Sequence, residues 1–220
     1  MAGGFKVGKN DFIAPVTALL FVCLAYGAVY ARGAGDIIKR LQERYEKIQS
    51  IEAGFTQVTK DAFGGSTTSK GRVYLKKPGR MRWDYISPVK DRIISNGRVL
   101  WFYQPDLNQA VKTMVRGEES GIAKDFLSGV GSIERVFRER KVSKKGGVYT
   151  IELTPKNDRP DMESLTLKVG ESDLVVLGFV VTDRLGGRTG VDFSAPVING
   201  DMADDLFEFK APDGVVVIKR

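Results

Sequence analysis

Few residues of this sequence have the type and spacing that catalysis needs. Ser87 and Lys90 have the spacing of a Ser-x-x-Lys acyl-enzyme pair, but that chemistry places the serine at a helix N-terminus. Here the pair falls in a predicted turn between strands, so we interpret the spacing as coincidence. Carboxylates such as Asp84, Asp91 and Glu118 could act in hydrolysis only if the fold brought two of them together.

The chain contains no histidine, and its one cysteine is Cys23. This composition excludes Ser-His-Asp and Cys-His catalysis, His-ligated zinc and an intramolecular disulfide. Gly129-Val130-Gly131 lacks the third glycine and the preceding strand of a dinucleotide site, and no phosphate loop is present. We therefore expect no enzyme activity, no cofactor and no metal.

The N-terminal segment has the pattern of a secretory signal peptide. Lys6 and Lys9 precede an apolar run from 12 to 30, and Val29 and Ala31 offer small residues before a cleavage site. We predict a signal peptide over 1–31 and one domain over 32–220, which has no cysteine. The run is also near the minimum length for a membrane span, so an uncleaved anchor is the alternative.

The exported part begins with one amphipathic helix. Asp36 can cap it, and its apolar residues recur at helical spacing, with charged residues between them. The apolar positions are Ile37, Ile38, Leu41, Tyr45 and Ile48. A second, interrupted helix is predicted between Glu118 and Arg140.

From Ile51 onward the hydrophobic period changes to two, which indicates strands. Residues 72–76 and 80–84 alternate apolar odd positions with charged even positions around the turn Lys77-Pro78-Gly79. Asn96-Gly97 predicts a second hairpin turn and Gly146-Gly147 a third. Further strands are predicted at 99–103, 149–154, 165–169, 174–181 and 191–193, and around Phe207 and Phe209.

About eight such strands predict a mainly β (α+β) domain with a curled antiparallel sheet. Its apolar face would include Trp83, Tyr85, Trp101, Phe102 and Ile151. One amphipathic helix and one interrupted helix can cover that face, but they are too small to fill the inside of a curled sheet. We therefore expect an apolar cavity on the concave side. The alternative is that loops and large side chains fill the interior completely.

A basic cluster lies in and around the first hairpin, with Tyr74 and Trp83 as aromatic neighbours. Nucleic acid is a poor candidate partner for an exported protein, whereas an acidic protein or anionic lipid headgroups fit better. The alternative is that these basic side chains form an ordinary solvent-exposed strand face without a partner. The cluster consists of Lys70, Arg72, Lys76, Lys77, Arg80 and Arg82.

The chain resembles the periplasmic outer-membrane lipoprotein carriers, the LolA family. The resemblance rests on several segments that occur in the family's order and cover nearly the whole exported chain. These are the helix followed by Ile51-Glu52-Ala53-Gly54-Phe55-Thr56-Gln57, the hairpin from Gly71 to Pro78 continuing to Trp83, Ser95-Asn96-Gly97 with Leu100 to Tyr103, Leu153-Thr154-Pro155-Lys156, and Phe207-Glu208-Phe209 with Pro212-Asp213-Gly214-Val215.

The resemblance implies an unclosed antiparallel β-barrel whose concave apolar face is covered by helices that form a lid. It implies a monomeric, non-catalytic periplasmic chaperone that binds the acyl chains of lipoproteins released from the inner membrane and delivers them to the outer membrane. Its partners would be acylated lipoproteins, an inner-membrane ABC-type exporter and, as a further candidate, an outer-membrane acceptor lipoprotein. The alternative is a lipid- or lipoprotein-sensing half-barrel anchored by an uncleaved N-terminus.

The resemblance also implies site residues. A basic residue before the hairpin proline, here Lys77, would hold the lid; because lysine cannot fork as arginine does, Arg80 or Arg82 are alternatives. Met81 would be an exposed apolar residue at the mouth. The expected acyl-chain cavity is lined by Leu41, Tyr45, Phe55, Val73, Leu75, Trp83, Tyr85, Trp101, Met114, Phe126 and Ile151.

Overall fold

The computed structural model describes residues 26–115, 133–158 and 161–220, with side chains from residue 36 onward. Twelve strands form a single sheet in the order β12-β6-β5-β4-β3-β2-β1-β11-β10-β9-β8-β7. The two edge strands, β12 and β7, are not paired with each other. The sheet is therefore an unclosed barrel, as predicted, and all pairings are antiparallel except β12 with β6.

The helices are α1 (Tyr26–Lys47) and the short α2 (Ile133–Val136), and two 3₁₀ turns cover Pro105–Leu107 and Asp204–Phe207. The strands are β1 Ser50–Lys60, β2 Ser66–Lys76, β3 Arg80–Ser87, β4 Arg92–Asn96, β5 Val99–Gln104, β6 Gln109–Met114, β7 Phe137–Lys145, β8 Val148–Pro155, β9 Ser164–Gly170, β10 Val176–Thr182, β11 Arg188–Ile198 and β12 Val216–Lys219.

The predicted hairpin turns are confirmed. Lys77-Pro78-Gly79 joins β2 to β3, and Gly79 has a φ of +66° that glycine adopts without steric cost. Asn96-Gly97 lies between β4 and β5, where the Asn96 side-chain oxygen accepts hydrogen bonds from the N–H groups of Arg98 and Val99. These turns fix the register, and the register fixes which side chains share a face.

Residues 26–36 are already helical, so the prediction that Asp36 is the N-cap of α1 is wrong. No proline separates Tyr26 from Asp36, and the alanines in between favour a helix that continues upstream. The predicted apolar face is confirmed: Ile37, Leu41 and Tyr45 are buried, together with Ile38 and Ile48. This face lies on the concave side of the sheet.

Three other predictions need correction. Of the helix predicted between Glu118 and Arg140, residues 118–132 lie outside the described residues, and Ile133–Val136 is helical. Residues 137–140 belong to β7 and not to a helix, because β7 pairs along β8. Phe207 and Phe209 are not in a strand, since Phe207 ends a 3₁₀ turn. The C-terminal strand β12 pairs in parallel with β6, which period-two patterning alone did not reveal.

Cross-strand pairs separate the two faces of the sheet. Val73 pairs with Trp83, Trp83 with Ile93, and Ile93 with Phe102, so these residues share the concave face. Arg82 pairs with Ile94, and Ile94 with Trp101, on the outer face. The outer face has its own small core, because Ile94, Ala110 and Phe207 are at most 1% exposed.

Gly71 lets two aromatic rings pack on the concave face. It pairs with Phe55 on one side and Tyr85 on the other, and a Cβ there would lie 2.1 Å from the Asp84 carbonyl oxygen and 2.7 Å from the Phe55 ring. At Gly190 the nearest atom to such a Cβ is 3.7 Å away.

We predict that Gly71→Ala lowers the free energy of unfolding by about 2–3 kcal/mol, because the strand or the Phe55 ring must shift. Gly190→Ala, the matched control, should change it by less than about 0.5 kcal/mol. Urea denaturation measures both values. Equal effects of the two substitutions would contradict the assigned close packing.

Candidate functional site

The concave face of the sheet and helix α1 enclose a continuous apolar interior. Phe55 packs edge-on against Trp83 at 4.9 Å and against Tyr85 at 5.1 Å between ring centroids. Phe193 extends this aromatic group towards β10, with its centroid 6.0 Å from that of Phe179. Beyond the rings, the floor continues with Ile151, Leu167, Val169 and Val191.

Within the described residues, α1 packs directly on part of this surface. The cavity that remains between α1 and the sheet there measures about 10 Å³ and is lined by Tyr45, Val73, Leu75, Val176 and Phe193, among others. A ligand for this part of the surface must therefore displace the helix.

Most of the predicted cavity residues do lie together in this interior. Leu41, Tyr45, Phe55, Val73, Leu75, Trp83 and Ile151 are buried in one cluster, and Tyr85 packs against it. Phe126 lies outside the described residues. Met81 is half-buried against the same cluster, not exposed as expected.

The structure places Trp101 and Met114 on the outer face, so the prediction that they line the concave face is wrong. The Trp101 ring packs against Phe209 of the C-terminal segment, with centroids 5.2 Å apart and planes tilted by 60°, and Lys112 lies over the Trp101 ring. Met114 is 52% exposed and lies two residues beyond Lys112 on the same strand face. Because neighbouring residues alternate in direction, Trp101 and Phe102 cannot share a face.

Lys77 holds the C-terminal end of α1. Its Nζ donates to the carbonyl oxygens of Tyr45 at 2.6 Å and Glu46 at 3.0 Å. These carbonyls belong to the last turn of the helix, where a cation is favoured by the helix dipole. Burial of the ammonium lowers the pKa of Lys77, and the Glu46 carboxylate acts in the opposite direction.

Arg80 and Arg82 hold a different element. Arg80 forms an ion pair with Asp204 at 3.3 Å, and the Arg82 guanidinium donates to the Leu206 carbonyl at 3.1 Å. Asp84 orients Arg82 through contacts of 2.9 Å to both carboxylate oxygens. These arginines fix the C-terminal segment on the outer face, while Lys77 contacts the lid.

Two tyrosines supply the polar groups inside the apolar interior. The Tyr45 hydroxyl accepts a hydrogen bond from the N–H of Val176 at 3.0 Å, and burial raises the pKa of this phenol to about 12. The Tyr85 hydroxyl donates to the Gln57 side-chain oxygen at 3.0 Å, and burial also raises the pKa of Tyr85. Both groups favour the neutral form, which suits an apolar ligand.

Phe179 and Phe193 are site residues that the sequence alone did not reveal. Both lie on strands that were predicted, β10 and β11, and both face inward with Val191. The period-two pattern indicated that each of these strands has one apolar face. It did not show that β11 pairs with β1 and β10 with β11, which is what brings both phenylalanines to the site.

The described residues form neither the Ser-x-x-Lys arrangement nor a metal-binding cluster. Ser87 ends strand β3 and Lys90 lies in the following loop, so the serine is not at a helix N-terminus. Across residues 26–115, 133–158 and 161–220, no cluster of carboxylates could hold a metal ion. Within the same ranges, no helix combines the length and the apolar character that a membrane crossing needs.

The decisive comparison is with protein families. The model of the outer membrane lipoprotein carrier protein LolA matches residues 46–210, which span β1 to the segment before β12. This chain belongs to the LolA family. The match includes the concave strands and Lys77, and it begins at the last turn of α1.

Individual relatives agree with this LolA-family assignment, and a solved structure shares the fold. The outer-membrane lipoprotein carrier protein of Legionella pneumophila (strain Corby) is 31% identical over 92% of this chain and 98% of its own length. That of Nitrosomonas europaea is 29% identical over 93% of this chain and 100% of its own length. A structure of an uncharacterized conserved protein from Thermus thermophilus shares the fold, with a TM-score of 0.55 and 13% identity over 86% of this chain and 99% of that one.

We predict that Lys77→Met loosens the lid. Two helix-end carbonyls lose a charged donor, which costs about 1.5–3 kcal/mol. Uptake of a fluorescent long-chain fatty acid should become about tenfold faster, since each 1.4 kcal/mol corresponds to that factor. Lys77→Arg keeps the donor and should take up the probe at close to the original rate. Unchanged uptake by Lys77→Met would show that this contact does not hold the lid.

The raised pKa of Tyr45 predicts that the free energy of unfolding decreases at alkaline pH. Its folded-state pKa of about 12 exceeds the ordinary value of 10.0, so its contribution is complete below about pH 10 and is lost as pH rises towards 12. The loss is about 2–3 kcal/mol for a shift of this size. Tyr45→Phe should therefore approach the stability of the parent protein above pH 10. A stability difference that is constant from pH 7 to 12, measured by urea denaturation, would contradict this.

Proposed function

We propose that this protein is a periplasmic chaperone that binds the acyl chains of lipoproteins and carries them between membranes. The observation that carries the proposal is the apolar interior of an unclosed barrel, covered by one helix whose end is held by Lys77. The relatives named as outer-membrane lipoprotein carriers support the same function. Those names do not favour the alternative of an anchored sensing module.

Loading requires α1 to leave the sheet. The small cavity between α1 and the sheet is far too small for an acyl chain, so a chain that binds there must replace the apolar side chains of Leu41, Tyr45 and their neighbours. The chain would then contact the aromatic group of Phe55, Trp83 and Phe193 and the floor around Ile151. Helix and ligand compete for one surface, which keeps net binding moderate.

Moderate binding is what a carrier needs. Burial gains about 0.8 kcal/mol per methylene, so complete burial of two or three long chains without any opposing cost would be practically irreversible. Reclosure of α1 opposes part of that gain and assists release. Loading from the inner membrane then requires an energy source, which fits an ABC-type exporter as donor, and unloading fits an acceptor lipoprotein at the outer membrane.

Adjacent residues of β10 allow a matched test of the acyl site. Phe179 faces inward, paired with Leu167 and Val191, whereas Val180 faces outward, paired with Thr166 and Gly190. Both side chains are half-buried, so an aspartate at either position is tolerable for the fold.

We predict that Phe179→Asp abolishes the solubilisation of an acylated lipoprotein from membranes that contain the exporter and ATP, while Val180→Asp retains it. The charge at position 179 would have to be desolvated against the acyl chain. The same lipoprotein with its acylated cysteine changed to serine is the cargo control and should not co-purify. Equal co-purification of both cargo forms would contradict acyl recognition, and equal activity of the two variants would contradict the assigned face.

A further inference from the structure

Two neighbouring hairpins end in the same five-residue turn. Asp61-Ala62-Phe63-Gly64-Gly65 joins β1 to β2, and Asp183-Arg184-Leu185-Gly186-Gly187 joins β10 to β11. In each turn the aspartate Oδ1 accepts hydrogen bonds from the N–H groups two and four residues later, at 2.8 and 2.9 Å. The turns lie side by side, because Lys60 pairs with Arg188.

The shared turn holds one apolar side chain out into solvent. Phe63 is 97% exposed and Leu185 is 82% exposed. The glycine that follows each of them has a positive φ, +95° at Gly64 and +89° at Gly186, which closes the turn tightly behind the apolar residue. The two side chains are therefore presented on fixed supports and not on long flexible loops.

Other connections at this end of the sheet also expose apolar side chains. Ile86 and Val89 flank the β3–β4 loop, and Leu107 lies in the turn between β5 and β6. We call Phe63, Ile86, Val89, Leu107 and Leu185 the apolar rim. At the opposite end, the turns at 77–79, 97–98 and 146–147 contain no such residue, and the exposed Met114 and Val197 lie within strands. The presence of an exposed apolar side chain on four connections at one end distinguishes the rim from single apolar residues scattered over any protein surface.

Two basic pockets adjoin the apolar rim on the outer face. They measure about 290 and 410 Å³ and share Lys90 and Arg92. Their further cations are Arg72 in the first pocket and Arg82 and Lys210 in the second, against the acids Asp84 and Glu208. Asp84 is already engaged by Arg82, and Glu208 accepts from Asn96. Arg72 is paired with Glu52 at 2.8 Å, and Arg92 lies 4.0 Å from Asp84. Within the described residues Lys90 and Lys210 form no ion pair, so these two lysines leave the pockets with an excess of positive charge.

We propose that the apolar rim docks this protein onto a membrane that contains anionic phospholipids. The rim side chains enter the interfacial layer, and the cations of the two pockets bind lipid phosphates. Separate projecting tips suit a fluid interface, whereas a stable protein interface needs a continuous patch of about 1,000 Å². The inference deepens the proposed function and rests on it for its purpose, since docking brings the carrier next to the membrane proteins that donate and accept the acyl chains.

The test is co-flotation of the full chain with vesicles of phosphatidylethanolamine and phosphatidylglycerol, compared with phosphatidylcholine vesicles. All variants share the same N-terminal segment, so differences between them report on the rim. Phe63→Ser combined with Leu185→Ser should weaken binding about tenfold, because two side chains lose interfacial burial. Met114→Ser is the matched control, since Met114 is 52% exposed but lies at the opposite end of β6.

Lys90→Gln combined with Arg92→Gln tests the pockets separately. This variant should lose the preference for vesicles with phosphatidylglycerol while it keeps the weaker binding to phosphatidylcholine. The proposal is overturned if the rim variant binds as the parent protein does, or if Met114→Ser weakens binding equally. It is also overturned if the parent protein binds neither vesicle, in which case the rim is a contact for a protein. Phe179→Asp should bind vesicles normally, so a failure of acyl carriage and a failure of docking are distinguishable.

Discussion

An unclosed sheet cannot cover its own concave face, and the structure depends on how that face is covered. The edge strands β12 and β7 are not paired with each other, so inward residues such as Val73, Leu75 and Trp83 need another element above them. Helix α1 supplies it with one apolar stripe. Because α1 is linked to β1 by a short connection, it can leave the sheet without unfolding the strands beneath.

The free energy gained by burying the apolar side chains of α1 is similar to that gained by burying an acyl chain on the same surface. Five buried apolar side chains of α1 contribute about 10 kcal/mol at roughly 1.5–3 kcal/mol each. A sixteen-carbon chain contributes about 12 kcal/mol at 0.8 kcal/mol per methylene. Polar contacts then adjust the balance: Lys77 binds the last helical carbonyls, Arg44 donates to the Asp173 carbonyl, and Gln42 accepts from the N–H of Ile133. Because the two free energies are similar, α1 can be displaced during loading and can displace the acyl chain during release.

The sequence predicted the helices and strands better than it predicted which of them pack against each other. Alternation in 72–84 predicted both faces of the β2–β3 hairpin, and the spacing of Ile37 to Ile48 predicted the buried stripe of α1. Trp101 was misplaced because its size suggested the main core, although it shares a face with charged Arg82. Phe207 and Phe209 resemble a strand but pack onto the outer face, and only tertiary contacts show that this face has a core.

The central claim is that α1 and the acyl chain exclude each other. A pair of spin labels tests it directly, one at exposed Lys39 on α1 and one at exposed Thr68 on the outer face of β2. With acylated cargo bound, the account predicts that the distance distribution between the labels shifts to longer values, and that unacylated cargo leaves it unchanged. A distribution that stays the same with acylated cargo stably bound would contradict the account.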